Sequence, residues 1–124
     1  VTSEHHNLSH HGKDPAKIAQ LKKIERELLG CFRDLLEKMS GKNEGPGSLL
    51  DNTMTLFGSN LGNANAHDPR NLPILLAGGG FKHGQYLARD RKDNTPLSNL
   101  FLRMLRAMKI ETESFGTSSG ELEW

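Results

Sequence analysis

Histidine is the residue type in this sequence best suited to metal binding and acid–base chemistry, and it is concentrated near the start. Positions 5, 6, 10 and 11 are histidine, and Ser9 lies among them. His6 and His10 are four residues apart, so on a helix both imidazoles would lie on one face and could share a metal ion. The same block could instead be a capping turn ahead of the next helix, or a basic end without fixed structure.

Another histidine, His67, lies in a polar loop rich in glycine and asparagine, residues 59–70, which follows a predicted strand. In open α/β sheets, ligands bind beyond the carboxyl ends of strands. If the histidine block folds beside this loop, His6, His10 and His67 could offer three nitrogen ligands and leave a fourth position open. That is the usual form of a catalytic zinc site. Taken singly, His67 is more often a structural loop residue.

Two further residues of the block are candidates for catalysis. A metal ion held by the three histidines would acidify a bound water and make it a nucleophile. His11 could then work as an acid or base near neutral pH. Ser9 could orient a ligand by a hydrogen bond. The sequence therefore predicts one divalent ion such as zinc, with His11 and Ser9 beside it.

The elements that would position these residues follow from hydrophobic spacing. Asp14 and Pro15 are typical of a helix start, and Gly41 of a helix end. Apolar residues recur between them every three or four positions, which predicts an amphipathic helix. The two predicted strands are residues 53–57 and 72–77, and residues 85–88 could form a short edge strand. A last helix is predicted to begin near Thr95 and Pro96.

These elements predict an incomplete α/β sheet. Neither strand alternates cleanly, which is typical of strands buried on both faces, and two or three strands make a poor sheet alone. Residues 1–124 are therefore predicted to form a single segment, the C-terminal part of a larger three-layer α/β sandwich. Its mostly parallel sheet would be flanked by helices and completed by another portion of the same protein or by a partner chain. Residues 111–124 are predicted to be an extended polar tail.

Composition narrows the possible partners. The 15 acidic and 16 basic residues nearly cancel, so no basic stripe points to nucleic acid. No apolar run approaches the roughly 18 residues of a transmembrane helix. A single cysteine, Cys31, excludes an internal disulfide.

The hexapeptide from His6 to His11 matches H-x-x-S-H-H at every fixed position, and the chain resembles the C-terminal region of the HXXSHH family of bacterial proteins of unknown function. The similarity extends over nearly the whole chain. Other matching stretches are residues 14–21, 49–54, 71–78, 94–100 and 114–120. Members of that family are longer and many look exported, so the resemblance implies a periplasmic or extracellular protein and a missing N-terminal portion.

A weaker resemblance connects residues 51–78 with the C-terminal half of the alkaline phosphatase and sulfatase superfamily. In that superfamily a strand ends in Asp-His-Gly, and a later histidine precedes the next strand. By position, Asn60 takes the Asp place, Leu61 the His place and His67 that of the later histidine. His6 and His10 would fill two metal-ligand places spaced four apart. Leu61 cannot bind a metal, so the resemblance implies one ion or none at a degenerate site.

Two functions remain open from the sequence. The first is a metal-dependent phosphoric or sulfuric ester hydrolase, favoured by the three histidines that could bind a metal. The second is a non-catalytic exported binding or structural subunit, favoured by Leu61. The superfamily's nucleophile lies in the half that has no counterpart in this sequence.

Overall fold

The computed structural model describes residues 1–90 and 92–124. The described chain divides into two compact units, residues 1–80 and 81–124. Both contain helix, and the first also contains strands, so the fold is mixed α/β. No helix among the described residues is long and apolar enough to cross a membrane.

The first unit is organised around a long helix. A short helix, α1 (His5–Ser9), is followed by α2 (Pro15–Ser40), and the two pack together. The predicted start of α2 is confirmed, because Asp14 caps it by accepting a hydrogen bond from Ala16 N, and Gly41 is its C-cap. Next comes a short hairpin whose strands have two residues each, β1 (Asn43–Glu44) and β2 (Gly47–Ser48). A two-stranded ribbon follows, formed by β3 (Met54–Gly58) and β4 (Ile74–Gly78).

The ribbon corrects the expectation of a mostly parallel sheet, because β3 and β4 run antiparallel, with Leu56 opposite Leu76 and Phe57 opposite Leu75. The physical reason lies in the connection. A parallel pair needs a crossover of a dozen or more residues, usually a helix, that returns the chain to its starting end. Residues 59–73 contain a single 3-10 turn closed by an isolated bridge between Asn63 and Asp68, but no crossover helix, and so the chain folds straight back.

The α2 helix covers one face of the ribbon. Phe32 stacks on Phe57 with ring centroids 5.0 Å apart, and the Thr55 hydroxyl contacts the Met39 sulfur. The coverage is thin, because no residue of α2 is fully buried. Large apolar side chains therefore remain exposed on both layers: Leu28, Leu29 and Leu35 on the helix, and Leu56 and Leu75 on the ribbon.

The described residues of the second unit contain one helix, α3 (Ser98–Ala107), which starts two residues later than predicted. Leu97 is its N-cap, and no side chain caps the helix there. Residues 85–88, predicted as a possible edge strand, form none. The absence of a local pairing partner accounts for this, since an isolated strand has no ladder hydrogen bonds.

The C-terminal residues lie along α3. Asn99 anchors them, since its side-chain oxygen accepts from Ser119 N and its backbone oxygen accepts from Leu122 N. The Arg103 guanidinium donates to Leu122 O at 2.7 Å and lies 3.7 Å from the centroid of the Trp124 ring. The predicted tail at residues 111–124 thus contains no helix or strand but is held by specific contacts.

Candidate metal centre

The short helix α1 positions the first two histidines. Its Leu8 side chain is completely buried and anchors the helix. His6 lies within α1 and His10 is its C-cap, with His10 N donating to His6 O at 3.2 Å. Their rings lie edge to face with centroids 4.7 Å apart. The four-residue spacing therefore brings the two imidazoles together, as the sequence predicted.

The loop between β3 and β4 positions the third. Asn63 caps the 3-10 turn Ala64–Ala66 by accepting from Ala66 N, and Asp68 N donates back to Asn63 O at 3.0 Å. His67 follows the turn with a φ of +50°, in the left-handed region that is uncommon for residues other than glycine. The closed turn on both sides of His67 holds it in that conformation.

The two segments meet at the histidines. The Nε2 atoms of His10 and His67 are 3.2 Å apart, although 57 positions separate the residues, and the ring centroids are 4.7 Å apart. Beside them, Gly12 N donates to the Asn65 side-chain oxygen at 2.8 Å. The structure thus brings His6, His10 and His67 into one row of rings, with His10 in the middle.

The row fits a metal ion in part. Two zinc ligands with nitrogen–metal bonds of 2.0–2.1 Å at tetrahedral angles have nitrogens about 3.3 Å apart, close to the His10–His67 separation. The third donor is not in place, because no three histidine, cysteine, aspartate or glutamate side chains among residues 1–90 and 92–124 are arranged to hold an ion. In the present arrangement the imidazoles of His10 and His67 are joined by a hydrogen bond between their Nε2 atoms.

The middle histidine has a perturbed protonation equilibrium. Desolvation, and then the positive charges that His67, His6 and Lys17 can carry, lower the pKa of His10 below its ordinary value of 6.5. The folded state therefore holds His10 neutral at pH 7, the form required of a metal ligand.

This shift predicts a pH dependence. Because the unfolded chain takes up the His10 proton at higher pH than the folded chain, the stability that this residue contributes is present above pH 6.5 and lost as pH falls below it. We expect the His10 ring protons to titrate in NMR spectra with a midpoint below 6.5. A midpoint at or above 6.5 would contradict the predicted environment. The signals of His10 are identified as those that are missing from the spectrum of the His10→Gln variant.

The remaining predicted site residues differ in their surroundings. His11 accepts a hydrogen bond at Nδ1 from Lys13 N at 3.0 Å, so its neutral ring carries the proton on Nε2. The nearly buried Ser9 hydroxyl donates to His6 O at 2.8 Å, which fastens the turn between the two histidines. Asn60 is exposed, two residues beyond the end of β3. Metal binding by Asn60 and catalysis by His11 and Ser9 stay predictions.

Sequence reasoning missed the contact between Gly12 and Asn65. The available signals were weak: Gly12 directly follows the histidine block, and Asn65 is one of several asparagines in residues 59–70. Gly12 has a φ of +56°, a conformation that glycine adopts without strain. That turn directs its backbone N–H toward the loop.

Comparison with known proteins gives no independent assignment. The chain matches no protein-family model, and no curated protein or solved structure is significantly similar to it. The class of molecule defined by fold and site is thus a mixed α/β chain that carries a cluster of three histidines.

Proposed function

We propose that this chain carries the histidine ligands of a single divalent metal ion, such as zinc, in a protein that hydrolyses phosphoric or sulfuric esters. The observation that supports metal binding is the 3.2 Å separation of the His10 and His67 Nε2 atoms, and the ester classes rest on the resemblance to the alkaline phosphatase and sulfatase superfamily. Two segments far apart in sequence present nitrogen atoms at the spacing of tetrahedral ligands. The buried Leu8 side chain fixes the segment that bears His10, and the Asn63 cap fixes the loop that bears His67.

In this proposal His10 and His67 bind the ion through Nε2. His6 is the third ligand and is free to turn because its side chain is exposed. Asn60 is a fourth, weaker oxygen donor. When bound, a divalent ion polarises an ester oxygen as a Lewis acid. His11 is the general acid for the leaving group in its imidazolium form, which carries a proton on each ring nitrogen and gives up the hydrogen bond from Lys13 N. Ser9 acts through its bond to His6 O, by keeping α1 wound.

The rest of the proposal concerns the larger protein. The leucines exposed on α2 and on the ribbon are apolar surface that a soluble α/β protein normally covers. We infer that a further N-terminal portion, or a partner chain, adds strands and helices to form a three-layer sandwich. That portion would supply the nucleophile. Export to the periplasm or beyond is part of the same proposal and rests on the family resemblance.

A second function is favoured by specific observations. Leu61 stands where a ligand is expected from the resemblance, and the described residues contain no ready three-ligand set. A non-catalytic exported binding or structural subunit with a vestigial site would have both features. Turnover separates the two functions.

We expect a protein that contains this chain and its N-terminal portion to hydrolyse an aryl phosphate or aryl sulfate ester when zinc or manganese is added. Residues 1–124 alone should give no turnover, because no residue among them is a convincing nucleophile. The assay compares both proteins with and without a chelator, and His67→Ala with His83→Ala as the matched histidine control. Turnover by residues 1–124 alone would contradict the division of labour. Inactivity of the longer protein on both ester classes would favour the binding subunit.

A further inference from the structure

We infer that Asn65 is a positioning residue, which holds His67 against His10 by accepting a hydrogen bond from the Gly12 backbone. The expected effect of Asn65 on zinc binding rests on the proposed function. Its effect on the contact between His10 and His67 does not, because that contact forms in the metal-free protein. Asn65 Oδ1 lies 2.8 Å from Gly12 N, and this contact joins residues 53 positions apart.

The two contacts between the segments are neighbours, arranged as successive residue pairs are in an antiparallel ladder. Gly12 is two residues after His10, and Asn65 is two residues before His67, so the two contacts lie side by side. One contact is the imidazole pair at 3.2 Å, and the other is the hydrogen bond that Gly12 N donates to Asn65 Oδ1 at 2.8 Å. Two contacts fix both the distance and the orientation of the segments, whereas one contact between exposed rings would leave His67 free to swing.

The hydrogen bond between Gly12 and Asn65 is the better anchor, because both of its partners are held rigidly. Asn65 lies inside the 3-10 turn that Asn63 caps. Gly12 N belongs to the turn in which Asp14 N donates to His11 O at 2.8 Å, immediately before the Asp14 cap of α2. Each side of the amide contact is therefore fixed by its own local hydrogen bonds. The His10 ring packs against the His6 ring, but within the part of the chain that the structure describes neither the His10 ring nor the His67 ring is hydrogen-bonded to its own turn.

The chemistry of the contact allows a conservative test. The carboxamide oxygen only accepts here, so Asn65→Asp keeps the acceptor, whereas Asn65→Ala removes it. Asn52→Ala is the control, since Asn52 is an exposed asparagine of the first unit whose side chain also bonds a backbone group, by donating to Glu44 O. The first readout is the ring ¹⁵N shifts of His10 and His67 in the metal-free protein. The second is zinc affinity by calorimetry.

We expect Asn65→Ala to move both ring ¹⁵N shifts toward those of free imidazole and to weaken zinc binding about 10–100-fold, the range for residues that orient ligands. Asn52→Ala should keep the wild-type ring shifts. Asn65→Asp adds a negative charge that favours protonated rings, so it should keep the wild-type shifts when they are measured well above the ordinary histidine pKa of about 6.5. Wild-type ring shifts in Asn65→Ala would overturn the inference, as would an Asn65→Asp variant that behaves like Asn65→Ala. A wild-type protein that binds no zinc would defeat the proposed function, while the ring shifts would still decide the role of Asn65.

Discussion

His10→Ala should abolish tight zinc binding. His10 is the middle ring of the row, 4.7 Å from the ring centroids of both His6 and His67, so its loss removes the one side chain that touches both others. Removal of a direct ligand should exceed the cost of losing an orienting group, so we expect a fall in affinity of more than about 100-fold. The measurement is calorimetric titration with zinc, supported by cobalt absorption spectra that report tetrahedral coordination.

The matched control is His5→Ala. His5 belongs to the same helix and the same histidine block, yet it takes no part in the row of rings. The His5→Ala variant should bind zinc with the affinity of the wild type. Equal loss in both variants would mean that zinc binds the histidine-rich segment without a defined site, and equal affinity in wild type and His10→Ala would remove His10 from the ligand set. Ser9→Ala should lie between, with a loss of about 10–100-fold, because it only loosens the turn.

Gly78→Ala should unfold or strongly destabilise the first unit. Gly78 ends β4, is buried and has a φ of +77°, where a side chain is strained. A methyl group there would overlap the backbone oxygens of Leu50 and Thr53, which cannot swing aside. Left-handed strain costs about 1–2 kcal/mol and overpacking another 1–3 kcal/mol, so the free energy of unfolding should fall by about 3 kcal/mol.

Gly80→Ala separates the two causes. Its φ of +72° is nearly the same, but a methyl group at Gly80 would meet only open space. We expect it to cost the strain alone, about 1–2 kcal/mol, in urea unfolding followed by circular dichroism. Similar losses for both variants would show that the close approach at Gly78 relaxes, and a neutral Gly80→Ala would show that the three-glycine turn rearranges freely. The His10 ring shifts report whether such changes reach the site.

Local patterns in the sequence determined much of the secondary structure. The α2 helix begins and ends where Asp14, Pro15 and Gly41 predict, because capping and hydrophobic spacing depend only on near neighbours. Both central strands were predicted to within two residues for the same reason. The start of α3 was placed too early, since Thr95 looks like a cap but Leu97 occupies that position. Competing caps differ by energies that tertiary packing easily outweighs.

Only the tertiary structure decided how those elements meet. The direction of β4 depends on whether residues 59–73 cross over or turn back, and no periodicity in the strands records that choice. The sequence offered His67 as one loop histidine among several polar residues, and its contact with His10 lies beside a hydrogen bond from Gly12 N to the Asn65 side chain. The four-residue spacing of His6 and His10 was readable because a helix turn fixes it. The approach of His67 was not, because pairs distant in sequence are selected by the packing of the whole unit, which no local pattern encodes.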